Sequence, residues 1–131
     1  AQFEAARLHE RIPALLESSE QLRGLTVVLA SVGSVGTPDD LRGLVQQLRE
    51  RLGAAAGVVV LAAESGGKPV VIAATTPAAR EAGAKAGALA KLGAQVLGGG
   101  GGGKDDLAQG GGTDPSKLDD ALAAIRRSLA E

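Results

Sequence analysis

The feature that most constrains the fold is an unbroken apolar run in the middle of the chain. Residues 57–63 read Gly-Val-Val-Val-Leu-Ala-Ala, which is rich in β-branched residues and has the length of a strand. Because none of these side chains is polar, both faces of such a strand have to be covered by other parts of the chain. The run therefore predicts a sheet with helices on both sides.

Two further apolar runs predict the neighbouring strands. Residues 25–32 form a β-branched run between Gly24 and Gly33, and residues 70–74 follow a Ser-Gly-Gly-Lys sequence with hairpin chemistry. Since a helix separates the first run from residues 57–63, these two strands are expected to be parallel. The hairpin predicts that residues 70–74 return antiparallel.

Capping residues and apolar stripes predict the helices between and after these strands. Thr37 precedes a helix that ends near Gly53, and Thr76 precedes one that runs to about Leu97. Asp114 caps a final amphipathic helix. This alternation of strands and helices is typical of an α/β layer fold.

A further helix is predicted over residues 1–23, where four apolar residues follow a spacing of four, three and seven. The seam is typical of a helix packed on its own domain and also of the end of an association helix that lies upstream; both interpretations stay open. The predicted architecture is a small layered α/β domain with a short mixed sheet flanked by helices, a glycine-rich loop and an N-terminal helical extension. Its predicted parts are the extension, residues 1–23, and the globular domain, residues 24–131. The seam residues are Leu8, Ile12, Leu15 and Leu22.

Composition narrows the class of protein. The 131 residues suffice for one domain, and 14 Lys and Arg against 15 Asp and Glu give a net charge of −1, so no overall attraction to nucleic acid or membranes follows. The absence of cysteine excludes disulfides and zinc–thiolate sites. The apolar runs are too short to span a bilayer and no signal peptide is recognisable, so a cytoplasmic protein without a membrane partner is expected. Because the sequence starts at Ala1, we expect a fragment of a longer polypeptide; processing of a short precursor would give the same start.

Residues 98–112 carry the candidate chemistry, with two glycine clusters around one Lys, two Asp and a Gln. Residues 98–104 superficially match a P-loop, but Asp105 stands where Ser or Thr would hold magnesium, and a helix precedes the glycines. Glycines let backbone N–H groups approach phosphate or ribose closely. From the residues alone, an anion or nucleic-acid site and a structural loop both stay open. The stretch that leads into the glycines has one acid, Glu81, and the basic residues Arg80, Lys85, Lys91 and Lys104.

The glycine segment resembles the signature that closes the C-terminal domain of alanyl-tRNA synthetases, which belongs to the DHH-associated superfamily. The segment has, in this order, two glycines, a variable residue, three glycines, a basic residue, Asp-apolar-Ala-Gln and a second glycine cluster. The resemblance covers residues 14–131. This sequence departs from the family pattern at Gly100, where a basic residue is usual, and at Lys104-Asp105, where Arg-Pro is usual. Both departures lower the local positive charge.

The resemblance implies a non-catalytic module that binds the outer corner, or elbow, of tRNA and supports aminoacylation and editing by an alanine–tRNA ligase. Its implied partners are alanine-specific tRNA, the catalytic and editing domains of the same polypeptide, and a second copy in a homodimer. The parent enzyme would use ATP, magnesium and zinc elsewhere, with no catalytic or metal-binding residue in this fragment. The implied tRNA-binding residues are Lys85, Lys91, Gly98, Gly99, Gly101, Gly102, Gly103, Lys104, Asp106, Gln109, Gly110, Gly111 and Gly112.

Two other functions stay open. The nucleic-acid-binding domain of a DHH-type phosphoesterase acting on short oligonucleotides would look similar, although that family shows a histidine in its glycine motif and none follows Gly103. A purely structural dimerisation module is suggested by the N-terminal seam. His9, the only histidine, is interpreted as a solvated helix residue, because a Ser/His/Asp triad would need a nucleophile motif that is missing.

Overall fold

The computed structural model describes residues 8–131, and within them the strands form one six-stranded sheet. These strands are β1 (Glu20–Leu22), β2 (Leu25–Ser34), β3 (Gly57–Ser65), β4 (Lys68–Thr75), β5 (Gly101–Gly103) and β6 (Leu107–Gly111). Their order across the sheet is β1-β2-β3-β4-β6-β5. β2 and β3 are parallel and β4 returns antiparallel to β3, which confirms both predicted directions.

The helices flank this sheet. They are α1 (Ile12–Glu17), α2 (Pro38–Leu52), α3 (Pro77–Glu81), α4 (Ala86–Val96) and α5 (Leu118–Ala130). A 3-10 turn at Pro115–Lys117 precedes α5, and Asp114 caps it. The hydroxyl and backbone N–H of Ser116 donate to the Asp114 carboxylate and hold its pKa below the ordinary value. Among residues 8–131, no helix has both the length and the apolar composition needed to cross a membrane.

The capping signals read from the sequence are confirmed at α2. The hydroxyl oxygen of Thr37 accepts a hydrogen bond from the N–H of Asp40 at 3.3 Å, and Pro38 occupies the first helical position. Gly53 ends the helix with a φ of 57°, a backbone conformation that favours glycine.

Two apolar cores lie on the two faces of the sheet, so the fold has three layers. One core lies between the sheet and α1 and α2, and it includes Val59 and Leu61. The other lies between the sheet and α4 and α5, and it includes Val58 and Val60. Along β3, successive side chains therefore point into the two cores alternately. All four of these residues, from Val58 to Leu61, are fully buried. The predicted α/β class, with a mixed sheet covered on both faces, is confirmed.

The helix predicted over residues 1–23 is wrong after Glu17, because the chain turns into the edge strand β1. Glu20 pairs with Val27 and Leu22 pairs with Leu25 in antiparallel register. A tight turn reverses the chain at Arg23 and Gly24, whose φ angles are 54° and 82°. Residues 1–7 of the prediction lie outside the described residues.

Pairing with β2 favours a strand here, since it satisfies backbone groups that a solvent-exposed edge would leave free. β1 is also tied to α5, where Arg126 Nε donates to both carboxylate oxygens of Glu20 at 3.1 Å. This ion pair lowers the pKa of Glu20.

The apolar seam of the N-terminal segment packs against the rest of the same chain. Leu8, Ile12 and Leu15 are only 6%, 1% and 6% exposed and belong to the core beneath α2. His9 is hydrogen-bonded through Nδ1 to Gln47 of α2 at 2.8 Å. The division of the chain at residue 24 stays a prediction, and this packing favours placing residues 8–23 within the globular unit.

We expect Ile12→Ala to lower the free energy of unfolding by about 2–4 kcal/mol, because it empties a site that is 1% exposed. Urea unfolding monitored by far-UV circular dichroism measures the change. Ala14→Gly, at an exposed position of the same helix, weakens the helix by about 1 kcal/mol without opening a cavity, so it shows the size of a helix-propensity effect alone. An unchanged unfolding midpoint for Ile12→Ala would support the boundary at residue 24.

The helix predicted from Thr76 to about Leu97 is interrupted. α3 ends at Glu81 and α4 begins at Ala86, with Gly83 at a φ of 101° between them. That backbone conformation is open to glycine and breaks the helical hydrogen-bond ladder. The break lets α4 take its own direction across the glycine-rich strands.

Candidate nucleic-acid interface

The segment predicted as a glycine-rich loop is mostly a β-hairpin, which we call the glycine hairpin (residues 101–111). β6 joins the sheet antiparallel to β4, with Ala73 opposite Ala108, and β5 pairs with β6 at the edge of the sheet. Glycine has low strand propensity, so pairing with β4 and packing against α4 impose the strand conformation.

One face of the glycine hairpin packs against α4 and leaves no room for side chains. A Cβ atom added at Gly110 would lie 2.7 Å from the carbonyl oxygen of Ala90 and 2.9 Å from Cβ of Ala94. A Cβ at Gly87 of α4 would lie 2.9 Å from the carbonyl oxygen of Gly103. These glycines allow the helix backbone to touch the strands, so their first role is internal packing.

The opposite face of the glycine hairpin is open. A Cβ at Gly100 or Gly102 would meet no atom within 4 Å, and one at Gly111 would meet only the Pro69 carbonyl oxygen, at 3.2 Å. Gly102 pairs with Gln109, and the N–H of Gly111 donates to the Gly100 carbonyl at 3.2 Å, so the four residues alternate with those that face α4. We call Gly100, Gly102, Gln109 and Gly111 the glycine face.

A cleft of about 360 Å³ lies along the glycine face. Its walls come from the glycine hairpin on one side and from the β3–β4 turn and the start of α2 on the other. Lys68 is exposed at the start of β4 and brings a positive charge to the wall of this cleft. The lining residues are Pro38, Ser65, Lys68, Pro69, Val70, Gly100, Gln109, Gly110, Gly111 and Gly112.

Helix α2 brings two arginines to β6 and the turn before it. Arg42 Nη2 donates to Gln109 Oε1 at 2.5 Å, and Arg49 Nη1 donates to the carbonyl oxygen of Asp106 at 2.7 Å. The two arginines are seven residues apart, so they lie on one side of α2. Both are half-buried, which leaves part of each cation exposed beside the glycine hairpin.

The turn between β5 and β6 is held in place by hydrogen bonds. The N–H of Lys104 donates to the Leu107 carbonyl at 3.1 Å, and the N–H of Ala86 donates to the Asp105 carbonyl at 2.9 Å. The Thr75 hydroxyl also donates to the Asp105 carbonyl, at 2.5 Å. The exposed Lys104 side chain is therefore presented from a fixed backbone.

The structure brings together some of the predicted site residues and separates others. Lys104 lies two residues after Gly102 and opposite Leu107, so it falls on the same side of the hairpin as Gly100, Gly102 and Gln109. Lys91 belongs to the middle of α4, in the helix layer on the other side of the sheet, whereas Lys85 directly precedes α4 and lies beside the β5–β6 turn, where the N–H of Ala86 contacts Asp105. Their role in RNA binding stays a prediction, as does that of the other predicted site residues.

Packing explains the remaining predicted glycines. A Cβ at Gly101 would lie 2.5 Å from Gly110 Cα, and one at Gly103 would lie 2.8 Å from Ala108 Cα. A Cβ at Gly99 would likewise collide with the backbone of Gly111 and Gly112, and one at Gly112 would collide with Leu97. Gly98 has a φ of 83°, a backbone conformation that favours glycine.

Sequence reasoning missed three cations: Arg42 and Lys68 near the glycine face, and Arg49 at the turn before β6. The spacing of the two arginines on α2 was a usable signal, but their neighbours Gln109 and Asp106 are far away in sequence. Within residues 8–131, no group of three or more histidine or acidic side chains is arranged to hold a metal ion.

Residues 24–131 match the DHHA1 domain family. The chain belongs to this family. It is 55% identical over 130 residues to the alanine–tRNA ligase of Clavibacter michiganensis, covering 99% of this chain and 15% of that one. The C-Ala domain of the Aquifex aeolicus alanyl-tRNA synthetase superposes with a TM-score of 0.77 at 30% identity, covering 87% of this chain and 99% of that domain. The resemblance to the C-terminal domain of alanyl-tRNA synthetases is thereby confirmed.

More distant structures share the fold alone. An exopolyphosphatase-related protein from Bacteroides fragilis superposes with a TM-score of 0.55 at 14% identity, covering 98% of this chain and 36% of that one. The chain itself spans about 15% of the length of the alanine–tRNA ligases that it matches.

Proposed function

We propose that this chain is the tRNA-binding C-terminal domain of an alanine–tRNA ligase and that the glycine face is its contact surface for RNA. The observation that carries the proposal is the open glycine face beside a cleft with exposed cations. Its similarity to the C-Ala domain and to alanine–tRNA ligases supports the choice of tRNA as the ligand.

The chemistry of the glycine face suits a folded RNA. Where no side chain projects, a ribose or phosphate can approach the strand backbone to van der Waals distance. The exposed Lys68 and Lys104, with the exposed Lys85 beside the β5–β6 turn, supply positive charge around this surface for phosphate contacts. The sequence contains one aromatic residue, so base stacking on aromatic rings is not the principal mode of binding. Recognition of backbone shape at the outer corner of tRNA fits these properties.

In the parent enzyme the domain would hold alanine-specific tRNA for the aminoacylation and editing domains of the same cytoplasmic polypeptide. ATP, magnesium and zinc would be used by those other domains. The proposal does not include a homodimer through the N-terminal seam, because Leu8, Ile12 and Leu15 are buried within the chain.

Fluorescence anisotropy with labelled alanine-specific tRNA, and with an unstructured RNA of equal length, tests the proposal. We expect tighter binding of the folded tRNA. With about three phosphates neutralised, the slope of log affinity against log salt concentration should be about −2 to −3. Equal affinity for both RNAs would contradict recognition of the tRNA fold, and a slope near zero would contradict contact through phosphates.

A further inference from the structure

Gln109 provides the one polar side chain of β5 and β6 on the glycine face. The strand residues on this side are Gly102, Leu107, Gln109 and Gly111, and Leu107 packs against the core. A ligand seated on the glycine face therefore meets backbone atoms and the amide group of Gln109. The orientation of that amide decides whether the ligand meets a hydrogen-bond donor or an acceptor.

Chemistry fixes the orientation of the Gln109 amide. Its partner, Arg42 Nη2, lies 2.5 Å away across 67 residues of sequence. A guanidinium group has donors and no acceptor, so the carbonyl oxygen of the amide has to face Arg42. The NH₂ group is then left without an acceptor, since none of the hydrogen bonds among the described residues uses it as the donor.

Arg42 is itself oriented by a second contact. Its Nη1 donates to Oδ1 of Asp39 at 2.7 Å, one helical turn earlier in α2. The two nitrogen atoms thus have separate partners, which holds the guanidinium plane between Asp39 and Gln109. An exposed ion pair of this kind adds little to stability, so its main effect is on orientation.

We infer that Arg42 is a positioning residue that fixes Gln109 as a hydrogen-bond donor toward an acceptor atom of the bound RNA. The inference rests on the proposed function, since it assigns the glycine face to RNA. A pre-oriented amide avoids the cost of choosing between two rotamers on binding. It also selects for acceptors, because an RNA donor at the same place would meet the NH₂ group.

Gln109→Glu separates this role from a structural one. A carboxylate has nearly the same shape and pairs at least as well with Arg42, so the fold is retained. It offers only acceptors, so we expect affinity for folded tRNA to fall at least tenfold, with an unchanged or higher melting temperature. Gln21→Glu makes the same charge change on β1, at the opposite edge of the sheet, and should lower affinity less than threefold.

Arg42→Met tests the positioning role, because it removes the guanidinium and keeps the apolar stem. If Arg42 acts through Gln109, affinity falls while the salt slope stays the same, and Arg42→Met adds little in a Gln109→Leu background. A direct phosphate contact by Arg42 would instead make the salt slope shallower by about 1 and make the two effects additive. That result would overturn the positioning role.

Anisotropy titrations of the 131-residue wild type and these variants against folded tRNA and unstructured RNA close the test. If Gln109→Leu weakens the binding of folded tRNA alone, the acceptor is a base edge or a ribose. If it weakens the binding of both RNAs equally, the acceptor is a phosphate. Either result supports the donor role. If Gln109→Glu prefers folded tRNA over unstructured RNA as strongly as the wild type does, this inference is overturned and the proposed function stays intact. Absence of discrimination by the wild type would overturn the proposed function.

Discussion

The Gly110→Val variant is expected to lose about 3 kcal/mol of unfolding free energy, because its side chain would enter the packed contact between the glycine hairpin and α4. Even the first added carbon would lie 2.7 Å from the Ala90 carbonyl oxygen and 2.9 Å from Ala94 Cβ. Both atoms belong to α4, so the helix has to move away from the glycine hairpin or the hairpin has to leave the sheet. Thermal unfolding should show a melting temperature lower by about 10 °C.

Gly100→Val is the matched control, with the same substitution on the open face. A Cβ at Gly100 meets no atom within 4 Å, so stability should change by less than about 0.5 kcal/mol. Its affinity for folded tRNA should nevertheless fall, because the valine projects into the proposed contact surface. Equal melting temperatures for the two variants would contradict the assignment of the glycines to a packed face and an open face.

Lys68→Glu is expected to weaken tRNA binding by tenfold or more, the largest effect on binding from one charged residue. Lys68 is exposed on the wall of the cleft beside Gly111, and none of the ion pairs among the described residues involves it. The substitution removes a phosphate contact and adds a repulsive charge, so the salt slope should also become shallower by about 1.

Arg127→Glu provides the control for net charge. Arg127 is exposed on α5, which packs over β2 and β3, away from the glycine hairpin. Both variants change the net charge by the same amount, and a purely long-range effect would weaken binding equally. Equal losses for Lys68→Glu and Arg127→Glu would remove Lys68 from the contact surface.

Local sequence signals predict those parts of the fold that local interactions decide. Thr37 and Gly53 mark the ends of α2 through backbone capping, which involves residues within one turn. The apolar run of residues 57–63 predicts a doubly covered strand because burial on both faces removes polar side chains from the sequence itself. The strand directions follow from the lengths of the connections.

Distant partners decide the parts that sequence reasoning missed. Glu20–Leu22 becomes a strand because β2 offers an unpaired edge, and its own residues carry no strand signal. The glycine hairpin forms strands through pairing with β4 and close approach of α4, which no propensity of glycine indicates. The contact between Arg42 and Gln109 joins a helix to a strand far away in the sequence, so neither sequence segment alone predicts it.

The most direct test of the glycine face as the RNA surface is a set of amide NMR spectra of ¹⁵N-labelled chain with and without folded tRNA. The largest signal changes are expected at Gly100, Gly102 and Gly111 and at the side-chain NH₂ group of Gln109, with small changes at exposed residues of α4 such as Lys91. Changes concentrated on α4, with the glycine-face signals unmoved, would contradict the account.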